Sequence, residues 1–224
     1  MKFIQVFLLV IFLSSNIMSQ EKPKLIYFGD PMCSWCYGFA PELEKVVTKL
    51  SDKVTLELVM GGLRPYNKQT MVELKSFLTE HWQEVNHRSG QTFKYDILDD
   101  TQITYDTEPP SRAVVVVRSI SPKQEMEFFK EVQKLFYQEN ENLHLVESYF
   151  PVLKALNIDK TLFTKNFESE NFKQKIKEDF TKSADYGVRG FPTLILQNGS
   201  DLFLISNGYS SSEDIIEKIN SKLN

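Results

Sequence analysis

Only two cysteines occur in the 224 residues, Cys33 and Cys36, with two residues between them. That scarcity excludes a disulfide scaffold, which needs several pairs at wide spacing. A bridge between these two would close almost no loop and so constrain the unfolded chain very little. There are three histidines, His81, His87 and His144, all remote in sequence from the cysteines. A zinc site takes about four ligands, so without a second cysteine pair no metal is expected. Basic residues do not dominate either: 26 Lys and Arg stand against 30 Asp and Glu, a net charge of −4. With no basic stripe or arginine-rich arm, nucleic acid is not an expected partner. No apolar run reaches the roughly 20 residues of a membrane span, so contact with a membrane should be transient at most. Internal repeats and low-complexity linkers are also lacking.

What is present begins with a leader. Lys2 is a minimal positive segment, Phe3–Leu13 is apolar apart from Gln5, and Ser14-Ser15-Asn16 follows. This is the anatomy of a secretory signal peptide over residues 1–19, with cleavage after Ser19 or Gln20. The chain is therefore expected to be exported, with the periplasm as its destination. Hydrophobic residues at 42% and charged residues at 25% are ordinary globular values, enough for a sizeable core.

Lys24–Asp30 reads as a buried strand closed by Gly29, Asp30 and Pro31. Phe39, Leu43, Val46, Val47 and Leu50 then recur at helical spacing, and Lys53–Met60 is a second strand stopped by Gly61-Gly62. The two strands should be parallel neighbours joined by a right-handed crossover. Near the end, Thr193–Gln197 and Asp201–Ser206 read as a hairpin about Asn198-Gly199. A last helix over Ser210–Leu223 follows, with Ile215, Ile216, Ile219 and Leu223 on one face. The segment between is mostly helical, with Val114–Val117 inside a helix apolar all round and hence buried. The expected architecture is α/β: a split β-α-β … β-β-α domain, residues 23–63 and 186–224, with a large helical insertion at 64–185.

The cysteines fall at the first strand-to-helix junction. Backbone N–H groups and the helix dipole favour negative charge at the first of them. Cys33 is therefore the expected attacking thiolate, exposed at the tip, and Cys36 the buried thiol that resolves a mixed disulfide. A second element is Gly190-Phe191-Pro192-Thr193, just before the third strand. Proline at a strand entrance marks an edge or a turn, and the spacing alone does not say whether the Phe191–Pro192 bond is cis. Asp30 has two readings, terminating the strand and capping the turn, or moving a proton for the resolving thiol. Trp35 has two as well, contact with substrate or packing against the insertion.

Strand, Cys-x-x-Cys at a helix start, helical insertion and Gly-x-Pro-Thr before a hairpin together resemble the DsbA family of the thioredoxin superfamily. The run Asp30-Pro31-Met32-Cys33-Ser34-Trp35-Cys36-Tyr37-Gly38-Phe39 is similar to the branch of FrnE-like, protein-disulfide-isomerase-type proteins. Asp106-Thr107-Glu108-Pro109-Pro110-Ser111-Arg112-Ala113 resembles the opening of that branch's insert helix. The resemblance covers essentially the whole chain after the leader. It implies a thioredoxin-like fold, a nucleophile at Cys33, a resolving thiol at Cys36 and a cis-proline at Pro192. Backbone at Phe191, with Ser34 and Trp35, would meet an extended substrate peptide. No cofactor is implied beyond the redox-active Cys33–Cys36 pair, and the partners are cysteine-containing proteins and an unidentified redox partner. Two departures stand out. Tyr27 occupies the position, six before Cys33, where many relatives carry a buried acid, and Ser34-Trp35 carries no imidazole between the cysteines.

Three functions therefore compete. The first is an exported oxidase, isomerase or reductase of protein disulfides. The second is a glutathione-using transferase or isomerase of the kappa and chromene-carboxylate isomerase type. The third is a non-catalytic peptide-binding module.

Overall fold

The computed structural model describes residues 22–223, so the leader expected at 1–19 and its cleavage point lie outside them. Strand β1 (Lys24–Gly29), helix α1 (Ser34–Lys49) and strand β2 (Thr55–Met60) form the first unit, and β1 and β2 are parallel. Strands β3 (Thr193–Asn198) and β4 (Asp201–Asn207) complete a sheet of order β2-β1-β3-β4. Leu25 and Tyr27 of β1 face the main core, whereas Ile26 and Phe28 join a smaller cluster with Val59 and Ile195. Burial on both faces explains why β1 reads as an unbroken apolar run rather than an alternating one.

Helix α1 contains Pro41, which removes the backbone donor for the Tyr37 carbonyl four residues earlier. Gln91 supplies the missing bond, its Nε2 donating to Tyr37 O at 3.1 Å. The insertion thereby repairs a defect in the helix that carries the cysteines.

The hairpin differs from expectation by one residue. Asn198 pairs with Asp201, so the two-residue loop is Gly199-Ser200, with Gly199 at φ +61. A bulge between Leu194 and Ile195 leaves Ile205 as the extra residue of β4. Of Ser210, Ser211 and Ser212, Ser211 caps helix α8 (Ser212–Leu223), its Oγ accepting from Asp214 N–H and donating to Asp214 Oδ2.

The insertion carries helices α2 (Lys75–Ser89), α3 (Glu108–Ile120), α4 (Glu125–Tyr137), α5 (Phe150–Ala155), α6 (Lys160–Phe167) and α7 (Glu170–Asp185). Helix α2 begins only at Lys75, because Thr70 is held in a bridge to Thr104 and Val72–Leu74 forms a separate 3₁₀ turn. Val114–Val117 of α3 are buried all round, as their pattern requires. Among the described residues no helix is long and apolar enough to cross a membrane.

Candidate active site

Strand β1 delivers Asp30 to the centre of the site. Its side chain is fully buried, Oδ1 accepting from Met32 N–H at 2.9 Å and Oδ2 from Leu63 N–H at 2.8 Å. The Asp30 carbonyl accepts from Cys33 N–H at 3.1 Å, closing the turn that leads into α1. Asp30 thus ties the strand end, the cysteine turn and the loop after β2 into one block. Burial raises its carboxyl from 3.8 to about 6, and the N–H groups of Leu63 and Met32 only partly oppose that rise.

A pH signature follows. The fold favours protonated Asp30, so this contribution to stability is complete below about pH 4 and disappears as pH rises through 6. Asn at this position stays neutral throughout. Between about pH 4 and pH 7 the wild type should lose roughly 2 kcal/mol relative to Asp30→Asn. Urea midpoints of the two proteins across that range check it, and a gap that does not change with pH would refute it.

Cys33 is the N-cap of α1, with φ −84 and ψ 112, and its Sγ accepts from Cys36 N–H at 3.3 Å. Both cysteines are free thiols. Cys36 is completely enclosed, but Cys33 keeps only 4% exposure and is not the open tip that the motif suggests. The cause is Phe191, whose carbonyl oxygen lies 3.6 Å from Cys33 Sγ. Its ring lies where Gly61 carries no side chain: a β-carbon there would come within 2.1 Å of it. The Phe191–Pro192 bond is cis, and the Pro192 carbonyl accepts from Gly208 N–H at 2.7 Å. Burial drives the Cys36 thiol well above its ordinary value, and the hydrogen bond and charge of Cys33 add to the effect.

Ser34 is buried and Trp35 half-buried. The Trp35 ring meets Tyr209, just before α8, at 6.2 Å, rather than burying itself in the insertion. Beside it opens a groove of about 510 Å³, lined by Trp35, Glu84, His87, Arg88, Phe191 and Tyr209. Arg88 lies over the Tyr209 ring at 5.5 Å. His87 is therefore at the site, and the expectation that every histidine lies far from it is corrected. Its distance along the chain concealed a contact made by the packing of α2 on α1. Among the described residues no group of three or more His, Cys, Asp or Glu side chains could hold a metal ion.

The insertion also supports the cysteine turn. Tyr105 donates from its hydroxyl to the Met32 carbonyl, and Thr107 Oγ1 accepts from Arg64 N–H at 3.1 Å. Thr107 belongs to the run that resembles the opening of the insert helix, but nothing in the sequence marks Tyr105.

A family model described as thioredoxin matches residues 27–214. The chain belongs to the thioredoxin family. Within it, the chain has the DsbA-like arrangement, a helical insertion set into the sheet domain. A candidate protein disulfide isomerase from Nitrosomonas europaea is 34% identical, with a TM-score of 0.84 over 91% of this chain and 98% of that one. The cytosolic disulfide reductase DsbM from Pseudomonas aeruginosa shares the fold at 22% identity and a TM-score of 0.74, over 89% of this chain and 98% of that one. The ClpXP adapter protein SpxH of Bacillus subtilis is 23% identical over 181 residues, 80% of this chain. The chain spans about 60% of the length of the curated relatives it matches. The molecule has a thiol–disulfide oxidoreductase-like fold that carries a Cys-x-x-Cys pair.

Proposed function

We propose that this protein is an exported thiol–disulfide oxidoreductase of cysteine-containing proteins, with Cys33 attacking and Cys36 resolving. The observation that carries this reading is the placement of Cys33 Sγ. It sits at the N-terminus of a 16-residue helix, against the carbonyl of Phe191, a residue that also lines the groove beside Trp35. Cys36 is enclosed behind it and holds its proton firmly, so a substrate meets Cys33 first.

In the reducing direction the Cys33 thiolate attacks a substrate disulfide and forms a mixed disulfide, and one substrate sulfur leaves as thiolate. Cys36 then attacks Cys33 Sγ. The Cys33–Cys36 disulfide forms, the second substrate thiolate leaves, and two electrons have passed to the substrate. Oxidation of a substrate runs the same steps backwards. The Phe191 backbone and Pro192 form the wall along which an extended peptide lies, and Ser34 and Trp35 contact it from the helix side. Asp30 acts on Cys36 in two opposed ways, a hydrogen bond from its backbone favouring the thiolate and the charge of its carboxylate opposing it. An unidentified redox partner resets the pair. The leader directs the chain to the periplasm, in contrast to DsbM, whose name places that protein in the cytosol.

Similarity to SpxH favours a second reading, a peptide-binding module without turnover. Insulin reduction in the presence of a small thiol, together with refolding of a scrambled substrate, separates the two. Catalysis of either supports the oxidoreductase; peptide binding with no turnover in either assay overturns it.

A further inference from the structure

Behind Cys36 lies a second functional group. The Tyr27 side chain is fully buried, and its hydroxyl has no hydrogen-bond partner of normal geometry among the described residues. An unpaired buried hydroxyl costs stability, so a phenylalanine would serve the core better if packing were the only task. The ring is held in place closely. Phe39 of α1 meets it at 6.1 Å and Phe129 of α4 meets it edge-on at 6.0 Å. Two residues along the same face of β1, Gly29 leaves room for the phenol to reach forward. A β-carbon at Gly29 would lie 2.8 Å from Tyr27 Cζ and 2.9 Å from its oxygen. Cys36 is within hydrogen-bonding influence of the phenol, and the charges of Cys36 and Cys33 both bear on it, Cys36 the more strongly.

We propose that Tyr27 is a positioning residue for resolution, its hydroxyl donating a hydrogen bond to the Cys36 thiolate as that thiolate forms. The inference rests on the dithiol reading above. Hydrogen bonds to a charged acceptor are about twice as strong as neutral ones, so the bond matters most in the state that attacks. The titratable groups around Cys36 are Cys33, Asp30, Tyr27 and Tyr137. Cys33 and Asp30 each oppose ionisation of Cys36 through charge, and a hydrogen bond from the Asp30 backbone favours it. The Tyr27 hydroxyl is a second donor on the same side of the balance. Burial, with the nearby Cys36 and Cys33 charges, holds the phenol well above its ordinary range, so it stays protonated and able to donate. The Cys36 proton passes to solvent. Cys36 then forms its bond to Cys33 Sγ, and the substrate thiolate departs.

The test uses reduced mature protein and the chromogen dithiobis-nitrobenzoate, followed by stopped flow. Attack by Cys33 releases one coloured thiolate, and attack by Cys36 on the mixed disulfide releases the second. In Tyr27→Phe the second phase should slow about tenfold and its pH midpoint should move upward. The first phase should stay within about twofold. Gly29→Ala retains the hydroxyl but crowds it, and should slow the second phase in the same sense. An unchanged second phase with an unchanged midpoint in Tyr27→Phe would overturn the proposal, as would equal slowing of both phases. A wild-type protein that releases a single thiolate would instead overturn the dithiol reading itself.

Discussion

Cys33→Ser is expected to abolish thiol–disulfide exchange, by more than about a hundredfold, because a hydroxyl at this site supplies no nucleophile comparable to a thiolate. The remaining thiol cannot substitute. Cys36 is fully enclosed, and burial holds it protonated. Cys36→Ser should behave differently. Its Cys33 still lies at the helix N-terminus beside the Phe191 carbonyl, so it attacks a disulfide and then waits. The expected product is a long-lived mixed disulfide, visible as a mass increase on non-reducing analysis and released by a small thiol. Insulin turnover by Cys33→Ser at the wild-type rate would remove the basis for Cys33 as nucleophile.

The largest expected stability effect lies away from the cysteines, at Asp179 of α7. Its Oδ1 and Oδ2 accept from Arg118 Nη1 and Nη2 at 2.8 and 2.9 Å, and Oδ2 also accepts from Met60 N–H at 2.8 Å. Arg118 of α3 also donates to the Leu58 carbonyl of β2 and to Glu125 of α4. One carboxylate therefore joins the insertion to the sheet. Burial works against the Arg118 charge, and Asp179 and Glu125 more than offset it. Asp179→Ala leaves a partly buried guanidinium short of a partner and a buried N–H unsatisfied, at a cost of about 3–5 kcal/mol. Asp179→Asn keeps an acceptor for Met60 and should cost less. Urea midpoints for the two variants test the ranking, and a loss below about 1 kcal/mol for alanine would contradict it.

Much of the fold was legible before any coordinates, for reasons visible in single segments. Strand β1 announced itself because both its faces are buried, and Val114–Val117 because the whole circumference of α3 is. The cysteine pair was legible because its chemistry needs only two thiols one helical turn apart. Other features could not be read. His87, Arg88 and Tyr209 meet at the groove although more than 100 residues separate Arg88 from Tyr209. The partner that satisfies the carbonyl orphaned by Pro41, Gln91, lies 50 residues further along the chain and is not marked in it. The hairpin loop shifted by one residue because pairing of Asn198 with Asp201 extends the ladder beyond what Asn-Gly alone suggests.

By itself, then, the sequence determined the thiol pair at a strand-to-helix junction and the order of strands and helices around it. These depend on residue type and on periods of two and 3.6, both local properties. Tertiary structure alone decided how open Cys33 is, what surrounds Cys36 and how Asp30 titrates. Each depends on burial and on partners brought from Leu63, Tyr105, Thr107 and Phe191. Desolvation and hydrogen bonding act over a few ångströms in space, and no spacing along the chain encodes them.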